Sequence, residues 1–246
     1  MDLWLKQLLY TLLPGTCILC GAASHRNLDL CEGCEQDLPR LESVCRRCSI
    51  PLIKDQTLCG RCFSKPPPFE RCVALYQYIP PVDQLIIDFK FNRKLLIGKV
   101  LSFLLAQHLH GLYGDDTPDL LIPVPLHPKR LRHRGFNQAL EIAEVISDRC
   151  GIPIDNRCCR RIRDTDAQRN LSARQRLRNI RKAFSLDSEI AATRVAIVDD
   201  VVTTGATVTE LSNTLLKHGV EQVHVWAVAR TIALPANYSV RDVPVT

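Results

Sequence analysis

Beyond residue 70 of this 246-residue chain, short apolar runs alternate with segments whose apolar residues recur at helical spacing. The apolar runs predict strands at Val73–Tyr78, Leu120–Val124, Arg194–Val198 and Gln222–Ala229. The helical patterns cover Val82–Phe89, Leu95–His110, Asn137–Arg149 and Val208–His218, the last followed by Gly219 as a stop signal. Strands alternating with helices predict an α/β domain with a mainly parallel sheet and helices on both faces.

The N-terminal segment Met1–Gly15 has apolar residues at helical spacing and predicts a short amphipathic helix. We expect this helix to pack on the rest of the protein, with contact to a membrane surface or a partner as the alternative. Lys6 and Gln7 interrupt what would be the core of a signal peptide. No stretch reaches the ~18–20 apolar residues of a membrane span, so we expect a cytoplasmic protein.

Eight of the twelve cysteines form four C-x-x-C pairs, each beginning fourteen residues after the previous one. Two such pairs supply the four thiolates of a closed tetrahedral zinc site, which predicts two structural zinc ions. The predicted ligands are Cys17, Cys20, Cys31, Cys34, Cys45, Cys48, Cys59 and Cys62. Disulfides are the disfavoured alternative, because the chain shows no secretion signal. The spacing leaves open whether consecutive pairs share a metal or the pairs interleave in a cross-brace.

The segment Lys65–Pro68 contains three consecutive prolines, which predict a stiff, extended linker. It divides the chain into residues 1–65, with the N-terminal helix and the Cys-rich module, and residues 66–246, with the α/β domain. The first part is too small to fold on its apolar core alone, so the metal serves as its staple.

The most informative stretch is Val195–Glu210, VAIVDDVVTTGATVTE. An apolar strand ends in two carboxylates, and a threonine- and glycine-rich turn leads into a helix. The N–H groups of such a turn and of the first helical turn converge on one point, where the helix dipole favours an anion. The carboxylates would repel that anion, so they suit the hydroxyl groups of a sugar or a nearby Mg²⁺.

This stretch resembles the phosphoribosyl pyrophosphate (PRPP) signature of type I phosphoribosyltransferases at every position of the pattern. The resemblance implies a phosphoribosyltransferase-like fold that binds PRPP or another ribose phosphate with Mg²⁺. Asp199 and Asp200 would hold the ribose hydroxyls. The 5-phosphate would lie on Thr203, Thr204, Gly205, Ala206 and Thr207.

A basic segment follows the predicted strand at Leu120–Val124, and it contains Lys129, Arg130, Arg132, His133 and Arg134. In the resembled family the loop at this place holds pyrophosphate, which a cluster of cations suits. Together with Lys90, the Lys129–Arg134 group would stabilise the departing charge. A solvated basic face is the alternative.

Three further motifs narrow the resemblance: Arg130–Gln138 (RLRHRGFNQ), Phe89–Lys94 (FKFNRK) and the run Gln168–Asn179. With the four C-x-x-C pairs they resemble the ComF family of competence-associated, amidophosphoribosyltransferase-like proteins, which includes the bacterial GntX type linked to use of external DNA. The resemblance covers nearly the whole chain and implies a part in DNA uptake or utilisation.

The net charge of +6 is concentrated between Arg157 and Lys182, where ten basic residues accompany only Asp164 and Asp166. In the transferases this place holds a mobile loop that closes over the substrate. The cations suit a nucleic-acid backbone equally well, but the stretch contains no aromatic residue for base stacking, which weakens single-stranded DNA as its ligand. A solvated charged helix is the third interpretation.

Two hypotheses follow. The first is a phosphoribosyltransferase whose acceptor is unassigned. The second is a non-catalytic component of the DNA-uptake pathway that binds nucleic acid or a partner protein, since fold does not fix function. A pure zinc-ribbon adaptor ranks last, because it leaves the intact ligand motif without a role.

Overall fold

In a computed structural model, residues 15–53, 56–113, 116–164 and 180–232 are described. The helix predicted over Met1–Gly15 lies outside the described residues except for Gly15. The run Gln168–Asn179 and most of the arginine-rich stretch also lie outside them.

The described elements follow the predicted alternation from residue 71 onward. The cysteine-rich segment contains two short helices, α1 (Glu32–Gln36) and α2 (Gly60–Ser64). The strands of the larger sheet are β1 (Arg71–Gln77), β2 (Leu120–Pro123), β5 (Arg194–Val202) and β6 (Gln222–Arg230). A separate antiparallel pair consists of β3 (Cys159–Arg161) and β4 (Phe184–Leu186). The remaining helices are α3 (Val82–Phe91), α4 (Leu95–His110), α5 (Pro128–Arg134), α6 (Gln138–Cys150) and α7 (Ala206–Leu216).

The larger sheet has the strand order β1-β6-β5-β2, and every pairing in it is parallel. Alternate residues of β5 enter opposite sides of the core, because successive side chains of a strand point to opposite faces. Ala196 and Val198 pack on the face that also holds Leu101 of α4, whereas Ile197 packs on the face that holds Leu211 of α7. The predicted α/β class, a mainly parallel sheet with helices on both faces beside a cysteine-rich module, is confirmed.

Two local predictions need correction. The strand predicted to end at Val198 continues to Val202, because Val201 and Val202 pair with Ala229 and Arg230 of β6. The acid pair therefore lies within the strand and not after it.

The basic segment predicted as a loop is the helix α5. Pro128 occupies its first turn, and the His127 side chain accepts a hydrogen bond from Lys129 N, 3.3 Å. Gly135 ends the helix with a φ of +84°, a left-handed conformation that glycine adopts without strain.

The cysteine-rich segment covers the outer edge of β1. Leu41 N donates to Leu75 O, 3.0 Å, and Gln77 N donates to Pro39 O, 2.8 Å, on either side of an antiparallel bridge between Arg40 and Tyr76. The open backbone groups of the edge strand are thereby paired. Among the described residues, no helix combines the length and the apolar character required to cross a bilayer.

Candidate functional site

The predicted acid pair lies at the carboxyl end of β5, where parallel α/β sheets bind ligands. Asp200 is 7% exposed, and its Oδ1 lies 2.8 Å from Nζ of Lys90, which α3 brings to the same end of the sheet. Asp199 is half-buried, and its Oδ1 accepts a hydrogen bond from Asp200 N, 2.9 Å. The structure therefore places three of the candidate site residues, Lys90, Asp199 and Asp200, together.

Burial raises the pKa of the Asp199 carboxyl to about 7, and the negative charge of Asp200 adds to this rise. The positive charge of Lys90, the Asp200 N–H and Arg161 act in the opposite direction. Asp199 therefore sits where an incoming hydrogen-bond donor or cation would stabilise its charged form.

We call the segment Thr203–Thr207 the threonine turn. Gly205 has a φ of +79°, which glycine adopts without strain, and α7 starts at the next residue. The Thr204 hydroxyl oxygen accepts from Ala206 N, 3.3 Å. In the described part of the chain, the N–H groups of Thr203, Thr204 and Gly205 have no acceptor from the protein. The turn therefore offers free donors beside the start of a helix, the arrangement that binds phosphate.

Arg230, the last residue of β6, lies beneath the threonine turn and is 4% exposed. Its Nη1 donates to Val202 O, 2.8 Å, to Thr203 O and to Thr231 O, 2.9 Å. Its Nε donates to Cys48 O, 2.9 Å. The sequence analysis missed this residue, although an arginine that closes an apolar strand pattern at the ligand-binding end was a signal.

The basic residues of α5 have different surroundings. Arg134 Nη1 donates to Gln138 Oε1, 2.7 Å, and its guanidinium lies 5.1 Å from the centre of the Phe91 ring. Burial lowers the pKa of Arg134, while the charge of Asp200 raises it. Arg130 Nε lies 3.4 Å from Asp164 Oδ1, and Lys129 is exposed. Through Arg134, α5 is therefore electrostatically coupled to the acid pair.

Two of the motifs that carry the family resemblance pack against each other beside the acids. The Phe89 and Phe136 rings lie 5.4 Å apart between centroids. Gly135 leaves room for the Arg93 side chain, since a Cβ on Gly135 would lie 3.1 Å from Arg93 Nη2. The FKFNRK and RGFNQ motifs thus form one contact layer that holds Lys90 and Arg134 in place.

A second arginine missed in the site assignment is Arg161 of β3, which is 8% exposed. Burial lowers its pKa to about 10, and the neighbouring charge of Arg130 lowers it further, whereas Asp199 raises it. Arg161 also lines a cavity of about 760 Å³ whose apolar wall includes Leu131 and Phe136. Arg161, whose pKa the charge of Asp199 raises, thus forms part of the wall of this cavity.

The eight cysteines of the C-x-x-C pairs form two clusters. In each cluster the four sulfur atoms lie within 4.8 Å of one another: Cys17, Cys20, Cys31 and Cys34, and then Cys45, Cys48, Cys59 and Cys62. We call these the first and second four-cysteine sites. Consecutive pairs share a site, so the sequential arrangement holds and the cross-brace does not. Within the described ranges all twelve cysteines are free, which argues against the disulfide alternative.

The donor set fits zinc. Burial raises the pKa of the Cys17 thiol, but backbone N–H groups of Cys20, Cys31 and Leu19 lower it more, to about 6. At the second site burial and backbone N–H groups act in the same way on Cys45, whose pKa falls to about 7. The pKa of Cys34 is raised by hydrogen bonding with the Cys31 thiol, and burial raises the pKa of Cys48 and Cys62. A cation is therefore required to hold all four sulfurs of a site as thiolates, which are the ligands of structural zinc.

Comparison with known proteins agrees with both parts of the chain. The family model of the double zinc ribbon domain matches residues 8–63. The DNA utilization protein YhgH of Salmonella typhimurium is 37% identical over 225 residues, which cover 89% of this chain and 98% of that protein. Competence protein F of Haemophilus influenzae is 37% identical over 224 residues, covering 87% of this chain and 96% of that protein.

Among solved structures, the glutamine PRPP amidotransferase of B. subtilis, complexed with ADP and GMP, overlaps 58% of this chain and 28% of that chain. The identity is 23% and the TM-score is 0.37, a value at which the overlap carries no argument.

Proposed function

Because the chain belongs to the ComF family of competence and DNA utilisation proteins, we propose that it binds PRPP or a related ribose 5-phosphate together with Mg²⁺. The observation that carries this proposal is the threonine turn, whose free N–H groups lie beside a carboxylate pair at the carboxyl end of the sheet.

Each residue group has its own part in this proposal. The threonine turn binds the 5-phosphate through Thr203, Thr204, Gly205, Ala206 and Thr207. The carboxylates of Asp199 and Asp200 accept hydrogen bonds from the ribose hydroxyls. Carboxylate oxygens are also the ligands that Mg²⁺ prefers, and Mg²⁺ bound there with PRPP would neutralise pyrophosphate charge.

Lys90 and Arg134 have separate parts in the proposed reaction. Lys90 orients Asp200 through their ion pair, and Arg134 lies where it can approach a pyrophosphate group. The exposed Lys129 and the Asp164-linked Arg130 extend the positive surface away from the acids. Transfer of the phosphoribosyl group to an acceptor is the reaction that this arrangement favours, and the 760 Å³ cavity lined by Arg161 is the candidate acceptor pocket.

The cysteine-rich module acts as a support for this domain, held by two zinc ions on the two four-cysteine sites. We expect the protein to act in the cytoplasm, where thiolate zinc sites stay reduced.

Calorimetric titration with PRPP and Mg²⁺ tests the ligand directly. We expect the wild-type protein to bind, and Asp200→Asn to lose roughly ten- to hundredfold in affinity, the range expected when a charged hydrogen-bonding group is removed. Asp119→Asn is the matched control, because Asp119 pairs with Arg194 at the opposite end of the sheet. Absence of binding by the wild-type protein would refute the proposal.

A separate assay addresses the reaction. Pyrophosphate release from Mg-PRPP is measured with a panel of nucleobases and amines, and release with one acceptor class would establish a transferase. Binding without release for any acceptor would favour a ligand-sensing protein.

One observation favours a second candidate, binding of single-stranded DNA. Phe63 on α2 is 81% exposed, and exposed Arg61 and Lys65 flank it. An aromatic ring among cations is the pattern that stacks a base while it neutralises phosphates. Binding to an oligonucleotide should weaken with Phe63→Ala and with rising salt; a flat salt response would remove this candidate.

A further inference from the structure

One buried side chain connects the second four-cysteine site to the threonine turn. Arg230 donates from Nε to the carbonyl of Cys48 and from Nη1 to the carbonyls of Val202 and Thr203. Cys48 belongs to the second four-cysteine site, and Thr203 opens the turn. A single rigid guanidinium therefore spans a metal site and a candidate phosphate site that are 155 residues apart in the sequence.

The contacts on the turn side fix the direction of its free donors. A trans peptide unit is planar, so its C=O and N–H groups point in opposite directions. The carbonyls of Val202 and Thr203 face Arg230, and therefore the N–H groups of Thr203 and Thr204 point away from it. These are the donors that lack a protein acceptor in the described part of the chain. Arg230 thus orients the amides that would receive the 5-phosphate.

The contacts on the metal side make the position of Arg230 depend on the ribbon. The neighbouring Ser49 is fully buried; its hydroxyl donates to Cys72 O, 2.7 Å, and accepts from Ala74 N, 3.2 Å. The backbone at Cys48 and Ser49 is therefore locked between the second four-cysteine site and β1. A metal on the four thiolates holds this backbone in place, because small ribbons have little core of their own.

Among the residues that the structure describes, the first four-cysteine site has no corresponding hydrogen-bonded connection to the threonine turn. In the described residues, the backbone hydrogen bonds of its cysteines stay within its own segment, such as Cys17 N to Ala22 O, 2.8 Å, and Glu35 N to Cys31 O, 3.0 Å. Its buried neighbours pack on β1 and α4 through apolar contacts. The two metal sites therefore differ in what they touch, although their ligand spacing is the same.

We propose that the second four-cysteine site sets the geometry of the threonine turn through Arg230, so that occupancy of this site, and not of the first, controls the affinity for the ribose phosphate. Arg230 is a positioning residue in this scheme, since it acts through the backbone of the turn. The affinity part of the inference rests on the proposed function, whereas the geometric part does not.

The test compares Cys59→Ser with Cys31→Ser. Both cysteines precede a five-residue helix, and each is the third ligand of its site, which makes them a matched pair. Zinc content, hydrogen exchange of the Thr203, Thr204 and Gly205 amides, and calorimetric affinity for Mg-PRPP are measured for both. We expect Cys59→Ser to raise amide exchange and lower affinity by roughly tenfold, within the usual range of coupling between sites. Cys31→Ser should change neither.

A second pair of variants tests the proposal even if Cys59→Ser loses the ribbon fold. Arg230→Lys keeps the charge and both metal sites but loses the planar fork that joins several carbonyls. Arg194→Lys makes the same replacement at the amino end of β5. With zinc content and melting temperature measured in parallel, only Arg230→Lys should raise amide exchange in the turn.

The outcomes separate the two proposals. If the wild-type protein fails to bind PRPP but turn exchange still responds to Cys59→Ser and Arg230→Lys, the proposed function is wrong and the coupling stands. If the wild-type protein binds and neither variant changes exchange or affinity, the coupling is wrong and the function stands. An equal response to Cys31→Ser would also overturn the inference, because it would show a general effect of zinc loss.

Discussion

The two ends of the parallel sheet carry polar residues of different kinds. At the amino end, Trp226 Nε1 donates to the Tyr113 hydroxyl, 2.9 Å, and that hydroxyl lies 3.2 Å from His224 Nδ1. The Asp119 carboxylate also accepts two hydrogen bonds from Arg194 at this end, one from the backbone N–H and one from the guanidinium, each 3.1 Å long. Trp226, Tyr113, Asp119 and Arg194 find partners inside the protein and tie neighbouring elements together, whereas Nε2 of His224 has no hydrogen-bond partner among the described residues.

At the carboxyl end the balance is different. Asp199 has a raised pKa, and the threonine turn presents N–H groups without a protein acceptor in the described residues. Burial also makes the charge of Arg134 less favourable and lowers its pKa. The comparison teaches that polar groups stabilise the fold where they are paired, and are available to a ligand where pairing is incomplete.

The largest expected effect on stability comes from Lys90, whose Nζ forms an ion pair with Asp200 of the signature. Lys90→Met leaves Asp200 buried without its partner, which should cost about 3 kcal/mol, as expected for half of a buried ion pair. For a chain of this size the melting temperature should fall by about 6 to 12 °C. Calorimetry checks this shift.

The double variant Lys90→Met/Asp200→Asn is the control, and it should recover most of the loss because no unpaired charge remains. A double variant as unstable as the single one would show that Lys90 stabilises the protein by packing and not by charge.

A smaller effect is expected at the amino end. Tyr113→Phe removes the acceptor of Trp226 Nε1 and should lower the free energy of unfolding by about 1 to 3 kcal/mol, because a buried donor is left unsatisfied. Denaturant unfolding measures the loss. Affinity for Mg-PRPP should remain at the wild-type value. A loss of affinity with unchanged stability would contradict the division between the two ends.

The smallest effects are changes with pH, and they should have opposite signs at the two ends. The folded protein holds the Asp199 proton more tightly than the unfolded chain, so this residue costs stability as pH rises from about 4 towards about 7. Asp199→Asn should therefore melt higher than wild type at pH 8 and at about the same temperature at pH 4.

Asp119 provides the contrasting case. Its hydrogen bonds from Arg194 hold the pKa of this carboxyl below its ordinary range, so its contribution is present at neutral pH and is lost as pH falls through the lowered pKa. Asp119→Asn should melt lower than wild type at pH 7, and the difference should shrink in acid. The melting temperatures of both variants are measured across pH 3 to 8. If the difference from wild type changed in the same direction with pH for both variants, the contrast between the two ends would be refuted.

Periodicity alone was sufficient for much of the fold. The strands and helices lie within a few residues of their predicted places, because the helices bury one apolar face and the central strands are apolar on both faces. α6 also ends at Gly151, a residue that favours termination. The end of β5 could not be predicted, since Val201 and Val202 remain in the strand only through their pairing with β6. Short-range patterns contain no information on that partner.

The same limit applies to the site. The acid pair, the threonine turn and the cysteine pairs are contiguous or periodic in sequence, so their chemistry could be inferred directly. The role of Arg230 depends on a contact with Cys48, 182 positions earlier, and that of Lys90 on a helix packed beside β5. The sequence indicated Lys90 as a candidate site residue and did not indicate Arg230. The partners of both residues follow from the three-dimensional arrangement.

The hydrogen bonds of residues 39 to 41 along β1 have a consequence for biosynthesis. The sheet partner of β1 is β6, in which His224 pairs with Arg71. β6 therefore emerges from the ribosome about 150 residues after β1, a delay on the order of 10 to 30 s. Residues 39 to 41, which border the other side of β1, have already been synthesised by then. A nascent chain therefore has a companion for this apolar strand throughout the delay, which protects it from pairing with other nascent chains.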